Sequence, residues 1–203
     1  MTHLPRIAVV DHGAGNLVSI SQALKRVGSQ PLIAESPSEL EDVDAIVLPG
    51  VGSTAAVMHG IRSAGFEAPL LASDLPILGI CVGMQVLFEG SDEDGATCLG
   101  LIGGVVRPLR DTPRLPHIGW NSVLPTKPDP LVDPGETFYF VHSFAPSPDD
   151  ESTTLTTTEY GSRFTSMVRQ GRLVGTQFHP ERSGSAGLKL LGGFVREVAA
   201  HAA

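Results

Sequence analysis

The chain has 203 residues, 41% of them apolar, and a formal net charge of −8. That length suits one α/β domain with a sizeable core and is short for two, so residues 1–203 are expected to form a single domain. The acidic balance argues against nucleic acid or an anionic membrane as the main partner; arginine outnumbers lysine 11 to 3, but no basic run exists. Two cysteines, Cys81 and Cys98, suggest a reduced compartment rather than a disulfide framework. The opening Met1-Thr2-His3-Leu4-Pro5-Arg6 has no signal-peptide pattern. No apolar run reaches the roughly 18 residues of a membrane span, so a cytoplasmic protein with no membrane partner is expected.

Taken in chain order, Ile7-Ala8-Val9-Val10 reads as a buried strand. Leu17, Ile20, Leu24 and Val27 recur at helical spacing and form one apolar face. Pro31-Leu32-Ile33 is a short second strand, and Ala45-Ile46-Val47-Leu48 a third, ending at Pro49-Gly50. A helix is expected near Thr54 to Ser63, then a strand over residues 76–80. Aliphatic strands alternating with helices argue for a mostly parallel central sheet with helices on both faces. The second half reads differently, with frequent Pro and Gly and a small antiparallel sheet. Val105-Val106, Thr137 to Val141 and Phe164 to Arg169 read as strands. Gln170-Gly171 joins the last of these to Leu173 through Gln177 as a hairpin. Leu188, Leu191, Val195 and Val198 form a closing amphipathic helix, and the acidic Pro146 to Glu151 stretch reads as the most mobile loop. The core is expected to be aliphatic, with Trp120, Tyr139 and Tyr160 as exceptions.

The most informative segment is Gly79-Ile80-Cys81-Val82-Gly83, which follows an apolar strand and precedes a helix expected to begin at Met84. A cysteine at such a turn, with a glycine two residues away on each side, has the form of a nucleophile elbow with sulfur in place of oxygen. The glycines admit a tight turn, and the helix N-terminus favours thiolate over thiol. Gln177-Phe178-His179-Pro180-Glu181 supplies a base and an orienting carboxylate, two residues apart on an expected strand end. Cys81, His179 and Glu181 thus have the makings of a nucleophilic triad. Cys98, between Thr97 and Leu99, has no such frame and is read as structural, or incidental on a loop. Gly13-Ala14-Gly15-Asn16 follows a strand but lacks the third glycine of a dinucleotide loop, because position 18 is Val. Histidines and cysteines lack metal-ligand spacing, so neither metal nor cofactor is expected.

Gly79 through Gln85 and His179-Pro180-Glu181 resemble the class I, triad-type glutamine amidotransferases. Further runs resemble one branch of that family, the glutaminase subunits of imidazole glycerol phosphate synthases. They are Asp11 through Leu17, Pro49-Gly50-Val51-Gly52, Pro116-His117-Ile118-Gly119-Trp120-Asn121, Tyr139 through Phe144, and Arg182-Ser183. The resemblance implies that Cys81 attacks the side-chain amide of L-glutamine, with His179 as base and Glu181 as its orienter. It assigns oxyanion donors to Val51, Gly52 and Val82, of which Val82, directly after the nucleophile, is also expected from the elbow itself. It assigns substrate contacts to Gln85, Glu93, His142 and Ser143, with Asp92 and Asp94 close to the acidic position. It implies a heterodimer with a (β/α)8-barrel cyclase subunit, to which ammonia is passed, and places Asn16, Trp120, Asn121, Tyr139 and Arg182 near that interface.

Flanking glycines would let the Pro49–Gly52 loop flip, and Gly50→Pro is then expected to remove activity while leaving the fold. His12, Ser53, Phe144 and Arg182 depart from the residues usual in the resembled branch. Three other readings stay open: a glutaminase serving anthranilate, pyridoxal phosphate or purine synthesis, a cysteine hydrolase or chaperone-like protein sharing the elbow, and a non-catalytic regulatory subunit.

Overall fold

The computed structural model describes residues 4–201, which leaves Met1, Thr2 and His3 of the opening segment outside the described residues. The first half runs β1 (Arg6–Val10), α1 (Leu17–Arg26), β2 (Gln30–Ala34), β3 (Ala45–Gly50), α2 (Thr54–Ser63), α3 (Glu67–Ala72), β4 (Ile77–Cys81) and the one-turn α4 (Val82–Gln85). The second half adds β5 (Gly90–Ser91), β6 (Gly104–Pro108), β7 (His117–Ser122), β8 (Leu124–Pro125), β9 (Thr137–His142), β10 (Phe144–Pro148), β11 (Thr154–Tyr160), β12 (Ser162–Gln170), β13 (Leu173–Thr176) and α5 (Gly184–His201).

The main sheet has eight strands in the order β2-β1-β3-β4-β13-β12-β11-β8. Pairing is parallel from β2 through β13 and antiparallel from there to β8. The parallel strands β1, β3 and β4 are almost wholly buried, as aliphatic runs without alternation require when both faces are covered. α1 turns Ile20, Ala23 and Leu24 inward, and α5 turns Leu190, Leu191, Phe194, Val195 and Val198. Gln170 pairs with Leu173 across the expected hairpin. β10-β6-β5 form a three-stranded sheet, and β7 and β9 an antiparallel pair.

Three expectations are corrected. Residues 146–148 are not loop; they belong to β10, where Pro146, Ser147 and Pro148 lie opposite Val106, Val105 and Gly104. The core is not aliphatic alone, since Phe66, Phe88, Phe138, Phe140, Phe178 and Phe194 are fully buried in it. The helix after the elbow starts at Val82 rather than Met84 and lasts one turn, so its dipole is weaker than a full helix would supply.

The order of the parallel strands decides where a site can form. β3, β4 and β13 are neighbours, and the chain leaves their C-terminal ends as residues 51–53, the Cys81 turn and residues 177–179. Ligands of open α/β sheets bind at such carboxyl edges.

Candidate active site

Cys81 ends β4 with φ 56° and ψ −113°, one of two non-glycine residues among those described that hold a positive φ. A non-glycine residue in that region is strained, and such strain persists only when the surroundings enforce it. The enforcement is steric. A Cβ on Gly79 would lie 2.6 Å from the Gly83 carbonyl oxygen, and one on Gly83 would lie 1.8 Å from that of Leu48. The glycines therefore act by close approach of α4 to β3 and β4, while the cysteine itself bears the unusual dihedral. This turn seats the sulfur in a hollow of about 150 Å³ lined by Val51, Gly52, Val82, Gln85, Glu93, Val141, His142, Ser143, Phe144 and His179. A larger hollow, about 830 Å³, lies away from the elbow between β6, β10 and β11, β12, and neither cysteine borders it.

His179 and Glu181 do not sit on a strand end as expected. β13 stops at Thr176, and His179 caps a 3₁₀ turn over Pro180–Arg182. The turn brings the two side chains together: His179 Nδ1 donates to Glu181 Oε1 at 2.9 Å, with both side chains buried. Burial alone pushes the imidazole down, but the Cys81 sulfur and the Glu181 carboxylate outweigh it and raise His179 to about 10. Nε2, the nitrogen on the Cys81 side, couples to the sulfur without making a full hydrogen bond to any group of the protein. The backbone of His179 is held by Tyr139, whose carbonyl accepts from His179 N at 2.9 Å. Ser183 Oγ donates to the His179 carbonyl at 2.6 Å and accepts from Tyr139 N at 3.0 Å.

Of the expected substrate residues, Gln85 is buried one turn beyond Cys81, and its Nε2 donates to the Phe144 carbonyl and to Gln177 Oε1, both at 3.0 Å. Glu93 and Asp94 both accept at the start of α2, Glu93 Oε2 from Thr54 N at 3.1 Å and Asp94 from Ala55 N at 2.8 Å and Thr54 Oγ1 at 3.0 Å, but only Glu93 borders the hollow, and Asp92 is exposed. Glu93 is thus the acidic group that the hollow presents. His142 and Ser143 line the opposite wall, and the Val141 carbonyl lies 3.9 Å from the Cys81 sulfur. Val51, Gly52 and Val82 border the same hollow, and Gly50 is in register with Cys81.

The five expected interface residues do not share one patch. Trp120 is 58% exposed and packs edge-on to Tyr139, whose ring carries the Arg182 guanidinium 4.5 Å from its centroid. Asn121 follows Trp120 on β7 and so faces the other way, with its amide donating to the Glu159 carbonyl at 3.0 Å. Asn16 borders a separate small hollow with Pro49, Gly50, Val51 and Glu181.

Residue reading overlooked two groups. Gln177 Nε2 donates to the Cys81 sulfur at 3.7 Å; its place beside the His179 motif was a signal. His12 is buried with Nε2 donating to the Pro49 carbonyl at 2.6 Å, which ties the end of β3 to the loop after β1. Cys98 is buried without any base, and burial first, then the Asp94 charge, pushes its thiol up to about 11.

A strained, buried cysteine beside an imidazole–carboxylate pair, facing a carboxylate and an amide across a small hollow, can carry acyl transfer from a small zwitterionic amide. The comparisons agree with this chemistry. Residues 8–198 match the model of the glutamine amidotransferase class-I family, and the chain belongs to that family, a family of enzymes. The imidazole glycerol phosphate synthase subunit HisH of Microcystis aeruginosa is 45% identical over 95% of each chain. That of Dehalococcoides mccartyi is 43% identical over 94% of this chain and 96% of the other. The chain accordingly stands in the HisH branch of the amidotransferases. A solved glutamine amidotransferase shares the fold with a TM-score of 0.73, at 20% identity over 95% of this chain and 98% of that one.

Proposed function

We propose that this chain is the glutaminase subunit of an imidazole glycerol phosphate synthase, acting in histidine biosynthesis as a single domain over residues 1–203. It hydrolyses L-glutamine to L-glutamate and ammonia. The observation that carries this reading is the Cys81 elbow facing the His179–Glu181 pair in one hollow with Gln85 and Glu93.

Cys81 as thiolate attacks the carboxamide carbon, and the C=O π pair moves to oxygen. Backbone N–H groups of Val82 and of the Val51-Gly52 loop receive that oxyanion, each donor contributing about 10²–10³ in rate. The His179 imidazolium delivers its proton to the departing nitrogen, the C–N bond breaks, and ammonia leaves a thioester on Cys81. Neutral His179 then takes a proton from water, whose hydroxyl adds to the thioester; the C–S bond breaks, its electron pair returns to Cys81 as thiolate, and glutamate leaves. Glu181 holds the ring through Nδ1 and stabilises its charged form. Glu93 receives the α-ammonium of the substrate, Gln85 and the wall at His142 and Ser143 seat the amide, and no cofactor or metal enters any step.

Ammonia released into water is protonated and lost as a nucleophile, so the reaction calls for a docked consumer. The partner is a (β/α)8-barrel cyclase subunit that converts a phosphoribulosyl-formimino carboxamide ribonucleotide to imidazole glycerol phosphate and AICAR in the cytoplasm. Trp120, Tyr139 and Arg182 are the candidate docking group, with Asn16 beside the loop after β3. Trp and Arg are frequent interface anchors.

The test is glutamate release from L-glutamine by the pure chain, with and without a cognate cyclase subunit and its nucleotide ligand. Strong stimulation by the liganded partner, abolished in Cys81→Ala, is the expected result. Activity indifferent to that partner would remove the pathway and keep the glutaminase; no activity in any mixture would sink both.

A further inference from the structure

Two buried histidines stand next to the site without belonging to the triad. His142 ends β9 on the wall of the Cys81 hollow, and His117 opens β7 directly opposite it. Hydrogen-bond chemistry fixes both tautomers. His142 Nδ1 lies 2.8 Å from the Phe144 carbonyl, which only accepts, so Nδ1 carries the proton. Nε2 of the neutral ring is then an acceptor, and its partner at 3.0 Å is His117 Nδ1, which must carry a proton in turn. His117 Nε2 is left as an acceptor, and Asn121 Nδ2 stands 3.4 Å from it as a weak donor. Every donor in this series meets an acceptor only if both rings are neutral. Burial keeps them so, pushing His117 down to about 4 and His142 to about 3.

The series continues to the nucleophile. The Phe144 carbonyl that accepts from His142 also accepts from Gln85 Nε2 at 3.0 Å; Gln85 Nε2 donates to Gln177 Oε1, and Gln177 Nε2 to the Cys81 sulfur. The His117 ring is clamped between Tyr160 and Phe140, with centroids at 3.9 and 4.9 Å, so it is a rigid donor. The β7 strand that displays Trp120 is thereby joined through one line of hydrogen bonds to the wall and floor of the hollow.

We infer that His117 is a positioning residue for the glutaminase reaction, acting through His142 to fix the bend at residues 141–144 on which the substrate amide is seated. This rests on the glutaminase reading above. Its N–H holds the His142 ring, the ring holds the Phe144 carbonyl, and that carbonyl anchors Gln85. The expected defect of losing the N–H is in substrate seating rather than in the triad.

Two substitutions separate this role from packing. His117→Asn keeps an N–H near the position of Nδ1 and loses the stacked ring; His117→Phe keeps the ring and loses the donor. In the complex with its cyclase subunit and nucleotide ligand, His117→Phe should raise KM for glutamine about tenfold with kcat changed much less, and His117→Asn should stay within about threefold of the parent KM. The reverse order, or equal KM values in the two variants, overturns the inference. A second measurement needs neither glutamine nor a folded variant of uncertain yield. The ¹⁵N spectrum of histidine-labelled parent protein should show His117 and His142 as Nδ1–H tautomers, the form less populated by a free imidazole in water. An Nε2–H signal for either ring overturns the inference, whereas a parent complex without glutaminase activity overturns the functional reading instead.

Discussion

Gly50 lies so close to Gly83 that a Cβ built on Gly50 would stand 2.6 Å from the Gly83 nitrogen. The end of β3 and the turn after Cys81 are therefore packed backbone to backbone, without room for a side chain between them. Gly50→Pro, expected from sequence to remove activity and leave the fold, does not separate the two effects. Gly50→Ala should already lower the melting temperature and the activity together. Gly52 differs: nothing lies within 4 Å of a Cβ there, but its φ is +89°. Gly52→Ala should cost about 1 kcal/mol in strain, lower the melting temperature by a few degrees and alter glutaminase rate by a larger factor. Thermal melts and steady-state kinetics on the two variants check this; a Gly50→Ala protein as stable as the parent would contradict the packing argument.

Cysteine labelling should be selective. Cys98 is buried, its thiol is raised to about 11, and no base is near it. Cys98→Ala is expected to keep glutaminase activity within about twofold, whereas Cys81→Ala should lose at least ~10³-fold with little change in the far-ultraviolet spectrum. A glutamine-competitive electrophile should label Cys81 alone, as peptide mass mapping would show.

Glu181→Gln preserves shape and removes charge. The amide can present its N–H to His179 Nδ1 and favour the wrong tautomer, as in triads where replacing the acid costs about 10⁴ in kcat. A fall of ~10²–10⁴ in kcat with KM nearly unchanged is expected; an unaffected kcat would exclude Glu181 as the orienter.

The histidines predict opposite pH limbs of stability. His117 and His142 sit at about 4 and 3, below the ~6.5 of a free histidine. Between those values the unfolded chain binds more protons, so stability rises with pH and is lost on acidification from about 6.5 downward. His179, raised to about 10, does the reverse. Its contribution is complete below the unfolded value and fades as pH climbs toward 10. Melting temperature measured from pH 4 to 10 should peak between the limbs. His179→Ala should flatten the alkaline limb and leave the acid limb in place.

His12 holds the Pro49 carbonyl from inside the fold. His12→Phe leaves that buried oxygen without its donor, a loss of about 1–3 kcal/mol. On a chain of this size a lower melting temperature by roughly 2–10 °C is expected. An unchanged melt would show that water replaces the donor.

The parallel half of the fold was legible because its strands are aliphatic without interruption and its helices keep one apolar face, as Ile20 and Leu24 do. The strands β7, β10 and β11 were not, because their residues alternate with polar or proline positions that locally resemble loop. Thr154–Tyr160 becomes a strand only by pairing with β12, and Phe144–Pro148 only by pairing with β6. By itself the sequence singled out Cys81, His179 and Glu181 as the proposed nucleophile, base and orienter, since the elbow glycines and His179-Pro180-Glu181 are local patterns legible from residue type. Which acidic side chain faces the hollow, that Trp120 and Asn121 point apart, and that His117 reaches Cys81 through His142 and Gln85 depended on tertiary structure alone. Those relations depend on pairing between segments far apart in the chain: β7 against β9 puts Trp120 and Asn121 on opposite faces and His117 against His142, and β13 beside β4 brings Gln177 to Cys81.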